Sequence, residues 1–282
     1  MSLEKTLCRL IRASALAAAS ILVAAPALAQ SIVSTGQSFV KVSLLPGRAE
    51  PDGTRMAGLV VDLKPGWKTY WRSPGEAGLP PSFDWSHSRN LASAELHWPR
   101  PQFFDSFGVR TLGYSGRVVF PVRLVPKDPS RPMAVHLDLA LGVCHDLCVL
   151  EKTKVDATIR ADSPETGAAL VAVAESKVPR PASALGLTEA QCRISGAGKT
   201  RDFEATLDFD HQVKDPRVVL EGPDLAWFKN VQTTPGPDGR LHVDAELNLL
   251  DAKAWVGRSD IRMTVLAENF AADVKGCAAP QG

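Results

Sequence analysis

Two cysteines stand four positions apart in Cys144-His145-Asp146-Leu147-Cys148, and two more, Cys192 and Cys277, lie far apart in the chain. A close thiol pair can cycle between dithiol and disulfide, form a static hairpin disulfide, or ligate a soft metal ion. A straight strand would hold the two Cα atoms about 13 Å apart, whereas a disulfide needs about 4.4–6.8 Å. An oxidised pair therefore requires residues 145–147 to turn, and a turn at a sheet end exposes its side chains. On the chain-entropy view, closing this short loop is worth about 2 kcal/mol, while the loop of about 85 residues between Cys192 and Cys277 gains about 4.6 kcal/mol. The long loop reads as a structural staple. The short one contributes less to stability and re-forms easily, which suits a bond that is made and broken. His145, beside Cys144, would favour a thiolate when protonated.

A metal reading would need Cys144, Cys148 and His145 with His97 or His136 as a fourth ligand, a set suited to copper or zinc. His145 sits inside a tight turn and no second ligand cluster appears in the sequence, so neither a metal nor a cofactor is expected. Ser195-Gly196-Ala197-Gly198-Lys199-Thr200 ends like a phosphate-binding loop, but Arg193 occupies the place of its first glycine and no apolar strand leads into it. No serine, histidine and acid set stands out for a hydrolase.

Whether the cysteines are oxidised depends on compartment. Lys5, Arg9 and Arg12 precede an alanine-rich apolar run from Ala13 to Ala25, and Ala27-Leu28-Ala29 offers the small residues of a cleavage site. The run is shorter than the roughly 20 residues that span a bilayer, so residues 1–29 are expected to be a cleaved export signal. Cys8 leaves with it, and the remaining four cysteines are an even number in a place where disulfides persist. Removing Lys5, Arg9, Arg12 and Glu4 from 32 basic and 31 acidic residues leaves 29 and 30, a net charge of −1. Neither nucleic acid nor an anionic membrane would be attracted. No later segment reaches a membrane-spanning length, so a periplasmic location without a direct membrane span is expected.

The elements that position these cysteines are strands. Leu59, Val61 and Leu63 alternate with polar neighbours except at Val60; Val118, Phe120, Val122 and Leu124 form a second run. Val135 to Val143 alternates at every position, and Thr153, Val155, Ala157 and Ile159 resume the same parity beyond the cysteines. These two runs predict a hairpin with the cysteines at its tip. Twenty-one prolines make long helices improbable, with one exception. Ser163-Pro164-Glu165 has an N-cap followed by proline at the first helical position, which predicts a short helix from Pro164 to about Lys177, stopped by Pro179 and Pro181. A second set of strands follows at Phe203–Phe209, Leu241–Leu249 and Ile261–Ala267, with Pro235 to Gly239 as a turn. The expected architecture is all-β: two immunoglobulin-like β-sandwich domains, at 30–161 and 184–282, joined by a short helix within 162–183.

Taken in order, Gly66-Trp67-Lys68-Thr69-Tyr70-Trp71, Pro74 to Pro81, Phe83-Asp84-Trp85, Gly113-Tyr114 with Val118 to Val122, and the cysteine hairpin carry a resemblance. Over about residues 36–160 the chain resembles the periplasmic N-terminal domain of the thiol:disulfide interchange protein DsbD, and within that family it looks closest to the ScsB branch. The second sandwich is similar to the companion domain of that branch. The resemblance implies that Cys144 and Cys148 are the redox pair. It also implies a cap loop at Asp105-Ser106-Phe107-Gly108, with Phe107, or Phe104, shielding the disulfide; core packing of one of these rings is the competing reading. Tyr70 falls at a position near the active cysteines, or is a core tyrosine with a satisfied hydroxyl. Better-known members separate the two cysteines by more than the three residues found here. They also continue into a membrane domain and a thioredoxin domain that this sequence lacks, so a separate donor is expected.

The function implied is thiol-disulfide exchange of the protein-disulfide reductase type. Electrons would come from a membrane-embedded donor of the DsbD or CcdA kind and pass to periplasmic thioredoxin-fold proteins. The alternative is a non-catalytic module that binds a protein or copper and keeps both disulfides static.

Overall fold

The computed structural model describes residues 38–75, 78–106, 109–268 and 270–280. The expected export signal at 1–29 and Phe107 lie outside the described residues. Period-two alternation is realised as strands wherever the sequence predicts it. The first ten are β1 (Val40–Ala49), β2 (Arg55–Leu63), β3 (Lys68–Gly75), β4 (Ser82–Asp84), β5 (Leu91–Leu96), β6 (Gln102–Ser106), β7 (Val109–Ser115), β8 (Arg117–Pro126), β9 (Met133–Cys144) and β10 (Cys148–Ile159). They pair in the orders β1-β2-β8-β5 and β10-β9-β3-β7-β6, with β4 also on β9. Between the two sheets lie Leu59 and Val61 of β2, Phe120 and Val122 of β8, Leu137, Leu139 and Leu141 of β9, and Trp71 of β3, all essentially inaccessible. Each such side chain gains about 1.5–3 kcal/mol by leaving water.

Helix α1 (Ala168–Glu175) follows, and then β11 (Arg180–Pro181), β12 (Leu187–Ser195), β13 (Thr200–Phe209), β14 (Arg217–Glu221), β15 (Ala226–Pro235), β16 (Leu241–Leu249), β17 (Arg262–Ala267) and β18 (Phe270–Lys275). These form the sheets β11-β18-β17-β14 and β12-β13-β16-β15 around a second core of Phe203, Leu207, Leu247, Met263 and Val265. The protein is thus all-β, with sandwiches and one short helix. No helix among the described residues is long and apolar enough to cross a membrane. The segment that mimics a phosphate loop is the turn between β12 and β13, with Gly196 and Gly198 at positive φ.

The helix begins later than its sequence signals suggest. Ser163 does not cap it: its hydroxyl accepts the Arg160 N–H at 2.8 Å and closes a turn instead. That turn is held by Arg55, buried beneath it, which donates to the Ser163 carbonyl at 2.6 Å. Gly167, in the left-handed region at φ 82°, then starts α1. Far from being a free linker, α1 lies on the outer face of the first sandwich. Val171 is fully buried, and a Cβ on Gly58 of β2 would stand 2.7 Å from its methyl group. Gly58 on the outward face of β2 thus meets the helix rather than solvent, and Val60, the apolar residue on that same face, is buried as well.

A similar covering accounts for β17, where Thr264 and Leu266 are as buried as the inward residues Met263 and Val265. The outer face of β14 and β17 packs on the first sandwich, so that Val219 and Leu266 join the first core. At this seam Arg72 of β3 donates from Nε and Nη2 to the two Glu221 oxygens, each at 2.9 Å, and from Nη2 to Thr264 Oγ1 at 3.1 Å. Its guanidinium also stacks on Trp71 at 4.0 Å. A mostly buried, bidentate pair is costly to break from one side because the orphaned carboxylate stays desolvated. Arg72→Ala is therefore expected to lower the unfolding free energy by about 3 kcal/mol, measured by urea denaturation. A loss below about 0.5 kcal/mol, the size of an ordinary surface effect, would show that the pair does not hold the two sandwiches together.

Candidate redox site

Strands β9 and β10 run in continuous antiparallel register from Met133↔Ile159 to Cys144↔Cys148. Residues 145–147 make the reversal that the cysteine spacing demanded, with the His145 N–H on the Leu147 carbonyl at 3.1 Å. Cys144 and Cys148 are bonded to each other with Cα atoms 4.1 Å apart. The two sulfurs are unequal. Cys144 is 1% exposed, whereas Cys148 and the whole tip face solvent.

What covers Cys144 comes from β3. Lys68 and Thr69 pair with Cys144 and Val143, and the Thr69 hydroxyl donates to the Gly142 carbonyl at 2.9 Å. Tyr70 then brings its hydroxyl to 2.9 Å from Cys144 Sγ and 3.5 Å from Cys148 Sγ. Burial pushes the Tyr70 phenol above its ordinary range. It stays protonated at neutral pH and can donate a hydrogen bond to sulfur, a stronger bond once the sulfur is a thiolate. The ring fits because two neighbours are glycines. A Cβ on Gly142 would stand 3.1 Å from the ring and one on Gly78 2.8 Å from it.

On the other side of the tip, Gly66 at φ 84° turns the chain under His145, where a Cβ would stand 2.6 Å from the imidazole. Trp67 lies 5.8 Å from that ring and stacks on Phe39 at 3.8 Å. His145 Nδ1 is engaged by Asp146 Oδ2 at 2.7 Å. Among the contacts described, the group that touches the sulfurs is therefore the Tyr70 hydroxyl, not the histidine. Around the pair, Leu147 is 64% exposed, Leu150 52% and Leu79 48%, an apolar rim on an otherwise polar hairpin.

The remaining site candidates are dispersed. Asp105 lies on edge strand β6, exposed and paired with Arg110 of β7 at 2.9 Å. Phe104, one residue earlier, sits 5.1 Å from the Lys68 ammonium, and Lys68 is the residue opposite Cys144. His97 follows β5, and His136 lies lower on β9, so neither accompanies the cysteines as a ligand set. Cys192 of β12 is bonded to Cys277, which follows β18, and flanking backbone bonds join Cys192 and Ala190 to Ala278 at 2.9 and 2.8 Å.

Residues 36–159 match the family model described as thiol:disulfide interchange protein DsbD, N-terminal. This segment is similar to the DsbD N-terminal family. The chain is also similar to the crystal structure of the N-terminal periplasmic domain of ScsB from Proteus mirabilis, with a TM-score of 0.62 and 24% identity over 86% of this chain and 92% of that one. At that identity the likeness is one of fold, and it extends past the DsbD-like segment into the second sandwich. Comparison with curated proteins finds no match. Gly142, Gly78 and Leu79, which carry no chemistry of their own in the sequence, gather around the Tyr70 ring. A glycine on the polar face of a long alternating strand is the sequence signal that could have pointed to Gly142.

Proposed function

We propose that this protein is a periplasmic thiol-disulfide exchange protein. Residues 30–161 are its redox domain, Cys144–Cys148 its reversible disulfide, and 184–282 its companion sandwich. The observation that carries this reading is the disulfide itself: hairpin-borne, half exposed, with a buried tyrosine hydroxyl on its sulfurs, in a DsbD N-terminal segment. A thiolate of a membrane-embedded donor attacks the exposed Cys148 sulfur. The Cys144–Cys148 bond breaks, and Cys144 leaves as a thiolate on which the Tyr70 hydroxyl is already aimed. The donor's second thiolate then attacks the mixed disulfide, leaving the donor oxidised and the pair reduced. In the forward half-reaction Cys148 attacks the disulfide of a thioredoxin-fold acceptor, and Cys144 resolves the adduct by re-forming the internal bond. The exposed Leu79, Leu147 and Leu150 supply the apolar surface against which such a partner docks. Export by the signal at 1–29 places the pair in an oxidising compartment.

Equilibration with glutathione buffers tests the reading. The pair is expected to exchange at potentials above about −300 mV; a pair that stays oxidised well below that value is a static bond. Tyr70→Phe removes the donor that favours the reduced state. It is expected to lower the reduction potential by about 30 mV, equivalent to about 1.4 kcal/mol. An unchanged or raised potential would remove Tyr70 from the mechanism.

A further inference from the structure

We propose that His87, His136 and Asp138 form a binding site for a zinc-class divalent transition-metal ion on the outer face of the β9–β10 ladder, separate from the cysteines. His136 and Asp138 are successive outward residues of β9, and His87 reaches them from the loop after β4. One nitrogen from each histidine and one Asp138 oxygen all lie within 4.8 Å of one another. Two imidazoles and a carboxylate are a donor set of zinc centres that keep a fourth position for water. Ligands about 2.05 Å from a tetrahedral ion stand about 3.3 Å apart. His136 Nε2 is 3.2 Å from Asp138 Oδ2, and His87 Nδ1 is 3.5 Å from the same oxygen. Two of the three edges thus already have the required length. The third closes by a shift of His87, the most exposed of the three side chains.

The surroundings orient these ligands. Asp156, opposite His136 on β10, engages its Nδ1 at 2.6 Å, the carboxylate–imidazole arrangement that turns Nε2 toward a metal. Lys154 binds the other oxygen of Asp138 at 2.8 Å and so leaves Oδ2 facing the histidines. The loop that carries His87 is fastened to β9 at the next residue. The Ser88 hydroxyl accepts the His136 N–H at 2.9 Å and donates to the His136 carbonyl at 3.0 Å. Both cysteine pairs are consumed in disulfides and compete for no metal. The inference is independent of the redox reading: it needs only this ladder and its loop.

The test is calorimetric titration of the oxidised, metal-stripped full chain with zinc chloride. One zinc ion per chain is expected. His136→Ala and His87→Gln should each weaken binding at least tenfold, and Asp156→Asn, which touches no metal, by about tenfold. A Cys144→Ser/Cys148→Ser variant should bind as the parent does. Circular dichroism confirms that each variant is folded, and His87→Gln, on an exposed loop, keeps the test open if His136→Ala is not. A stoichiometry near zero, or parental affinity in His87→Gln, overturns the proposal. So does loss of binding in the cysteine variant alone.

Discussion

A Cys144→Ser variant is expected to accumulate a mixed disulfide through Cys148 when it meets an oxidised thioredoxin-fold protein or glutathione disulfide, and a Cys148→Ser variant to accumulate at least 100-fold less at equal times. The difference comes from access. Cys148 is exposed at the start of β10, whereas Cys144 is 1% exposed beneath the Tyr70 ring. In-line attack needs an open approach along the sulfur–sulfur axis, which a buried Cys144 thiolate gains only by opening of the hairpin tip. A 100-fold rate difference corresponds to about 2.7 kcal/mol, a reasonable cost for displacing one packed aromatic ring. The balance of the step is plain: the Cys148 thiolate forms one bond to an acceptor sulfur, the acceptor's own bond breaks, and its second sulfur leaves as a thiolate. Without Cys144 no neighbouring thiol among the described residues resolves the adduct, since Cys192 and Cys277 are bonded to each other. Intact-mass measurement over a time course reads both variants. Equal rates, or faster reaction by Cys148→Ser, would reverse the assignment of attacking and resolving cysteines.

The second large effect is on stability. Cys192 and Cys277 close a separation of 85 residues across the second sandwich. Replacing both by serine is expected to cost about 4 kcal/mol, chiefly by releasing entropy to the unfolded chain. The Cys144–Cys148 pair closes a separation of four, and its double replacement is expected to cost about 2 kcal/mol or less. With a urea dependence of about 2 kcal/mol/M, the first change lowers the midpoint by about 2 M and the second by about 1 M at most. The backbone bonds from Cys192 and Ala190 to Ala278 lie beside the long bridge and keep the native arrangement of the ends. Most of the loss therefore resides in the unfolded state. A larger shift for the hairpin pair than for Cys192–Cys277 would contradict the division into one staple and one reactive bond.

The hairpin that carries Cys144 and Cys148 is legible because period-two alternation is local. Val135 to Val143 and Thr153 to Ile159 each declare which side is apolar, and one parity shared across the cysteines leaves only an antiparallel pairing with the tip at 145–147. The loop arithmetic separated the two disulfides for the same reason, since sequence separation alone sets the closure entropy. What covers a strand's second face is decided by partners remote in sequence. Gly58 lies under a helix more than 100 residues later, and Thr264 meets Arg72 across the seam. The helix start moved from Ser163 to Gly167 because Arg55 and a local turn claimed the capping groups. The sulfurs found Tyr70 rather than their sequence neighbour His145, since β3 is laid beside β9 by sheet order and not by chain proximity. His87, His136 and Asp138 likewise become neighbours only when β4 docks on β9. Sequence by itself therefore determined the alternating strands and the roles open to the cysteines. Tertiary structure decided which sulfur is exposed, which hydroxyl serves it and where the histidines gather, because those depend on long-range pairing whose partners leave no periodic mark in the chain.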